Sequence, residues 1–173
     1  MAFWLSLQLP PKVQQDIFRL RTLASPLETH TPTSRRSDDN PYEESMCPLC
    51  ARIPPAQESD YCPESFQHFV MECPHLGVAQ GRLHTAAARF FETHGPLRLT
   101  PKAPPTSWSL LPDIQKIGLL LGNETTALCY SFKTRAARKD WLKAFLQTVA
   151  PLLEDMFDRR ETLIFQHYPE LDV

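Results

Sequence analysis

Two cysteines separated by two residues, Cys47-Pro48-Leu49-Cys50, are followed after seventeen residues by His68 and, after four more, by Cys73. A Cys-x-x-Cys pair lets two thiolates reach one ion from a tight turn, and a histidine and a third cysteine complete a tetrahedron. A four-ligand set of this kind leaves no position open for water or substrate, which suits structural rather than catalytic zinc. Cys47, Cys50, His68 and Cys73 are therefore the expected ligands of a structural Zn2+ ion. The stretch between the pairs contains Pro54, Pro55 and Pro63 and reads as a loop whose ends the metal ties together. Glu64 to Met71 reads as a short helix with Phe66, Phe69 and Val70 turned to a core, ended by Pro74. Two alternatives stay open: ordinary buried cysteines, and a four-sulfur site in which Cys62 replaces His68. His68 is favoured because it lies about one helical turn before the Cys73-Pro74 stop, whereas Cys62 is wedged between Tyr61 and Pro63.

The same residues fit catalytic chemistry poorly. A redox dithiol places its second cysteine on the first turns of a helix that follows a strand, and here Pro54-Pro55 breaks the chain four residues after Cys50. Zinc nucleobase deaminases need a His-x-Glu element upstream of Pro-Cys-x-x-Cys, and neither the His-x-Glu nor a proline before Cys47 is present. Asp38-Asp39 lies in a Ser/Arg/Asn/Pro stretch with no strand to hold it, so a solvated loop is the expectation. His75, His84, His94 and His167 have no partner pattern, and Cys129 reads as a small core side chain. Nothing composes a nucleophile, base and oxyanion site, so the chain is not expected to be an enzyme.

A second chemical signal is charge. Lys133, Arg135, Arg138, Lys139 and Lys143 stand against only Asp140 between positions 133 and 143. On a helix whose Trp141, Leu142 and Phe145 face inward, these cations project where they can neutralise phosphates. A solvated helix face is the equal alternative.

The elements that must position these groups are helical. The chain has 173 residues, enough for one domain with ragged ends. Its 17 prolines against 5 glycines exclude a collagen-like or Gly/Ser-rich chain and predict a fold interrupted by loops. Residues 12–24 carry Val13, Ile17, Leu20 and Ala24 on one helical face, and residues 25–45 read as an extended connector. Gly77 to His94 reads as a helix with Val78, Leu83, Ala86, Ala87, Phe90 and Phe91 on its apolar side, stopped by Gly95-Pro96. A proline-rich linker follows, and then a short helix from Asp113 with Ile114, Ile117, Leu120 and Leu121 at helical spacing, stopped by Gly122. The last third is the longest periodic stretch: Trp141, Phe145, Val149, Leu152 and Met156, widened by Leu142, Leu146, Leu153 and Phe157. Pro151 is expected to kink that helix or to start a second one. The fold class is thus mostly α, an irregular helical domain organised around a structural CCHC zinc site with proline-rich linkers. Its expected segments are 1–45 (helix and linker), 46–95 (zinc module and following helix), 96–112 (linker) and 113–173 (C-terminal helical segment).

Composition narrows function further. The formal charge of −2, from 18 Lys and Arg against 20 Asp and Glu, excludes a wholly basic nucleic-acid binder and leaves only a local patch. Five cysteines, four of them within 27 positions, are an odd count for a disulfide scaffold. The N-terminal apolar stretch lacks a basic leader and a cleavage pattern, and no run approaches the ~20 apolar residues of a membrane span. The expectation is a reducing, intracellular setting, nuclear or cytoplasmic, without membrane contact.

Three stretches taken together resemble a known family. Phe18-Arg19-Leu20-Arg21-Thr22, then Cys47-Pro48-Leu49-Cys50, then Glu64-Ser65-Phe66-Gln67-His68-Phe69-Val70-Met71-Glu72-Cys73-Pro74 resemble the zinc-binding region at the C-terminal end of non-LTR (LINE-type) retrotransposon reverse transcriptases. That family carries an aromatic-x-Leu-Arg-Thr helix, a Cys-Pro-x-Cys pair and an acidic-x-x-x-His-hydrophobic-x-x-x-Cys-Pro element. The resemblance covers about residues 12–90 and assigns the zinc ligands to Cys47, Cys50, His68 and Cys73. It implies a module that helps hold RNA template or target DNA beside a reverse transcriptase polymerase domain. The aromatic-Ala-Asp-Asp turn of the polymerase itself does not occur in the chain, so a detached C-terminal piece is expected. The rival expectation is a zinc-stabilised protein-interaction domain, which the acidic overall balance favours. A RING-type ligase module needs about eight ligands, and this region offers one site.

Overall fold

The computed structural model describes Pro11 and residues 47–52, 65–95, 107–123, 132 and 134–167. In chain order these residues form helix α1 (Pro48–Arg52), a π-helical turn (His68–Glu72), a 3-10 turn (Pro74–Leu76), and α2 (Gly77–His94). A second 3-10 turn (Trp108–Leu110), α3 (Asp113–Leu120) and α4 (Arg135–His167) follow. No strand occurs among the described residues, so the mostly helical class expected from periodicity is the observed one. No helix among them is long and apolar enough to cross a membrane. The helix expected over residues 12–24, the connector 25–45, Asp38, Asp39, Cys62, Cys129 and Lys133 lie outside the described residues.

The chain packs as two compact units, and α2 and α4 supply residues to both. Among the described residues, one unit comprises 81–95, 107–123, 132 and 134–154, and the other comprises 47–52, 65–80 and 155–167.

Aromatic rings fill the first unit. Phe91, Trp108, Trp141 and Phe145 are all buried, with ring centroids 5.3 Å apart for Phe91 and Trp141 and 5.8 Å for Trp108 and Phe145. Edge-on and tilted arrangements at these separations suit the ring quadrupoles. Each buried indole N–H has a partner: Trp141 Nε1 donates to the His94 carbonyl at 2.6 Å, and Trp108 Nε1 to His84 Nδ1 at 3.1 Å. The first bond also satisfies a carbonyl at the end of α2 that has no acceptor role within the helix.

Helix ends follow local chemistry. Thr134 caps α4, its hydroxyl accepting from the Ala137 amide at 3.1 Å. At the other end of α3 the amides of Gly122 and Asn123 donate to the carbonyls of Leu119 and Gly118 at 2.9 and 2.8 Å. That reciprocal pair is a Schellman motif and demands a left-handed residue, which Gly122 supplies at φ 66°. A Cβ at this glycine would sit 2.9 Å from Leu146 Cδ1, so packing demands glycine as well.

The structure shifts three expectations. In α2 Leu83, Ala87, Phe90 and Phe91 are buried as expected and Ala79 joins them, while Val78 is 68% exposed and does not belong to the buried stripe. In α3 the buried residues are Gly118, Leu119 and Leu120, and Ile114 is exposed. Pro151 does not start a second helix, because α4 runs through it from Arg135 to His167. Both Pro151 and Gln147, whose carbonyl loses its amide partner, lie on the exposed face, where water can take the place of the missing bond. Leu146, Val149, Ala150 and Leu153 on the opposite face are buried and hold the helix against that loss of about 3 kcal/mol.

Candidate metal centre

Within the second unit, the sulfurs of Cys47, Cys50 and Cys73 and a ring nitrogen of His68 lie within 4.8 Å of one another, and all four residues are buried. Among the described residues no other group of three or more histidine, cysteine or acidic side chains converges in this way.

Short-range chain geometry delivers each ligand. Pro48 takes the first position of α1, where its missing amide costs nothing and its fixed φ favours the helix. Cys47 therefore immediately precedes the helix and Cys50 lies on its first turn. On the other side, Ser65 starts the helical turn: its hydroxyl accepts from the His68 amide at 3.0 Å and its carbonyl from the Phe69 amide at 2.9 Å. Phe66, Phe69 and Val70 face the core as the periodicity predicts. Phe69 stacks on Phe157 of α4 with centroids 4.5 Å apart.

The turn then widens. Cys73 donates its amide to the carbonyl of His68, five residues back, at 2.8 Å. Five residues on a regular α-helix would place two side chains about 140° apart, whereas the i→i+5 bond adds a residue to the turn and returns Cys73 to the side of His68. Pro74 excludes helical backbone at Cys73, whose ψ is 112°, and the chain turns there into the 3-10 segment. The widened turn frees the Phe69 carbonyl, which the Cys73 amide would otherwise have occupied. The buried side chain of Gln80 fills that vacancy, Nε2 donating to Phe69 O at 3.0 Å.

Two separations within the cluster can be compared with the edges of a metal site. Cys50 Sγ is 3.3 Å from His68 Nε2 and 3.9 Å from Cys73 Sγ. The three cysteines are free thiols, and 3.9 Å is nearly twice the ~2.05 Å of a disulfide. The edges of a tetrahedron with metal–sulfur bonds of about 2.3 Å and metal–nitrogen bonds of about 2.0–2.1 Å are roughly 3.8 and 3.6 Å. Side chains so placed could hold one divalent ion with no outside ligand.

Proton sharing within the cluster points the same way. The Cys73 thiol, donating to Cys47, holds Cys47 far below the usual thiol range, and the His68 ring adds to the effect against the opposing pull of burial. Cys73 is pushed up because it keeps the shared proton, is buried, and faces the negative charge of Cys47 and Cys50. Negative sulfurs crowded together in a buried site oppose one another's ionisation, and a doubly charged cation relieves that repulsion.

The basic stretch sits on the first turns of α4, in the other unit. Arg135 is exposed, and Arg138, Lys139 and Lys143 are half-buried at the borders of the stripe formed by Trp141, Leu142 and Phe145. Of the histidines without a pattern, His84 accepts from Trp108 and His94 stacks on Phe90 at 4.8 Å. Sequence reasoning did not single out Gln80 or Glu72, although a lone glutamine between Ala79 and Leu83 on the buried side of α2 is a visible signal for the former. Comparison with protein-family models, with curated proteins and with solved structures gave no match.

Proposed function

We propose that the chain is a structural-zinc, nucleic-acid-binding module of the kind found at the C-terminal end of non-LTR retrotransposon reverse transcriptases. The convergence of Cys47, Cys50, His68 and Cys73 carries the proposal. Three thiols and an imidazole in a closed tetrahedral arrangement suit Zn2+ over Mg2+ or Ca2+, which take oxygen ligands, and leave it no catalytic position. The ion draws together two pairs of residues that stand on either side of a sequence containing Pro54, Pro55 and Pro63, and its binding free energy adds to folding. The order of the Cys-Pro-Leu-Cys pair and the His-x-x-x-x-Cys-Pro element supports the family assignment, and Arg135, Arg138, Lys139 and Lys143, with Lys133, are the phosphate contacts. The module acts without chemistry of its own, holding RNA template or target DNA beside a polymerase domain.

The experiment measures zinc content of the purified chain and its retention of labelled RNA and DNA in gel shifts at low salt. One zinc per chain and salt-sensitive binding are expected. Zinc without any nucleic-acid binding would move the function to protein interaction, and a chain that takes up no zinc would remove the metal centre itself.

A further inference from the structure

The metal centre uses only one of the two ring nitrogens of His68. Nε2 faces the Cys50 sulfur at 3.3 Å, which leaves Nδ1 on the far side of a ring whose residue is 4% exposed. That second nitrogen faces the carboxylate of Glu72, Nδ1 to Oε2 being 3.9 Å. Glu72 is itself held: its other oxygen, Oε1, accepts from Gln67 Nε2 at 2.6 Å. The π-helical turn makes both contacts available at once, because residues 67 and 68 are both neighbours of residue 72 across a widened turn. On a regular α-helix Gln67 and Glu72 would lie about 140° apart.

We infer that Glu72 is the outer positioning residue of the metal centre: its carboxylate takes the His68 Nδ1–H and so presents Nε2 as the ligand, with Gln67 holding that carboxylate in place. An imidazole that binds through Nε2 carries its proton on Nδ1, and a carboxylate beside that N–H is a stronger acceptor than water. A metal at Nε2 draws electron density from the ring and strengthens Nδ1–H as a donor. The separation of 3.9 Å is longer than a direct hydrogen bond, so the pairing requires the Glu72 carboxylate and the Gln67 amide bonded to it to move together toward the ring. A ligating histidine paired in this way is oriented before the ion arrives, so less ordering is left for the binding step. The inference rests on the metal reading of the cluster and is independent of nucleic-acid binding.

The test compares the full chain with Glu72→Ala, Glu72→Gln and Gln67→Ala by chelator competition for zinc, and reads the His68 tautomer from long-range proton–nitrogen NMR. Glu72→Ala should weaken zinc affinity about tenfold to a hundredfold. Glu72→Gln, which keeps a carbonyl acceptor, should lose less, and Gln67→Ala less than Glu72→Ala. Helix content of the zinc-saturated variants should match the parent, since residues 67 and 72 are solvent-exposed. The NMR pattern should be that of Nε2 coordination with Nδ1 protonated. Parental zinc affinity in Glu72→Ala, or coordination through Nδ1, overturns the role of Glu72 while leaving the metal centre standing. A parent chain that binds no zinc overturns the metal centre and the inference with it.

Discussion

The amide of Cys73 is hydrogen-bonded to the carbonyl of His68, so two residues of the Cys3His cluster are also the two ends of one backbone bond. The spacing of four intervening residues is therefore more than a reach between side chains. It matches one widened helical turn, and the convergence of the cluster and the local backbone select the same geometry. Gln80 completes that turn from α2 by occupying the carbonyl the widening leaves over.

Gln80→Leu should accordingly destabilise the protein without touching a ligand. The substitution leaves the Phe69 carbonyl buried and unpaired, at a cost of about 1–3 kcal/mol. Denaturant unfolding of the zinc-loaded chain measures it, and an unchanged midpoint would mean that the widened turn does not depend on this bond.

Zinc loading should release protons and weaken in acid. In the metal-free cluster Cys73 keeps its proton, because it donates to the Cys47 thiolate and is buried beside negative sulfurs. The loaded state binds all three cysteines as thiolates, so it holds fewer protons than the metal-free state and acid favours loss of the ion. Affinity should rise steadily from about pH 6 to pH 8, with proton uptake by a weak buffer accompanying each addition of zinc. Affinity independent of pH over that interval would contradict a thiolate site.

Two glycines should respond to alanine with opposite signs. Gly122→Ala forces a left-handed backbone on a residue with a Cβ, about 1–2 kcal/mol, and pushes that Cβ to 2.9 Å from Leu146 Cδ1. Gly81 lies inside α2 with nothing within 4 Å of an added Cβ, so Gly81→Ala should stabilise by about 0.5–1 kcal/mol. Thermal melting of the two variants against the parent checks both.

The basic turns of α4 separate the two classes of function. Joint replacement of Arg135, Arg138 and Lys139 by glutamine should lower affinity for all nucleic-acid sequences about equally and flatten the salt dependence, by roughly 0.7–0.9 in slope for each lost phosphate contact. Binding that survives the triple replacement with its salt slope intact would place the contact surface elsewhere.

The Cys3His cluster, the span of α2 and the helical character of the last third were legible from residue types and spacing, because each is a local property. Thiolates and imidazoles that share an ion must be brought close by turns, and an apolar stripe repeats with the helix itself. Which flank of a stripe meets the core is not local. Val78 and Ile114 belong to the periodic pattern and are exposed, since the facing elements choose the buried arc to within one or two residues. Pro151 is a helix breaker by its own chemistry, yet α4 passes through it on buried neighbours that only tertiary packing supplies. Trp108 lies in a proline-rich stretch without periodicity and is buried because the aromatic rings of α2 and α4 and the His84 acceptor meet there. The widened turn between His68 and Cys73 needed the Cys73-Pro74 backbone, the core contacts of Phe69 and the amide of Gln80 to act together, and tertiary structure alone brings those three to one place.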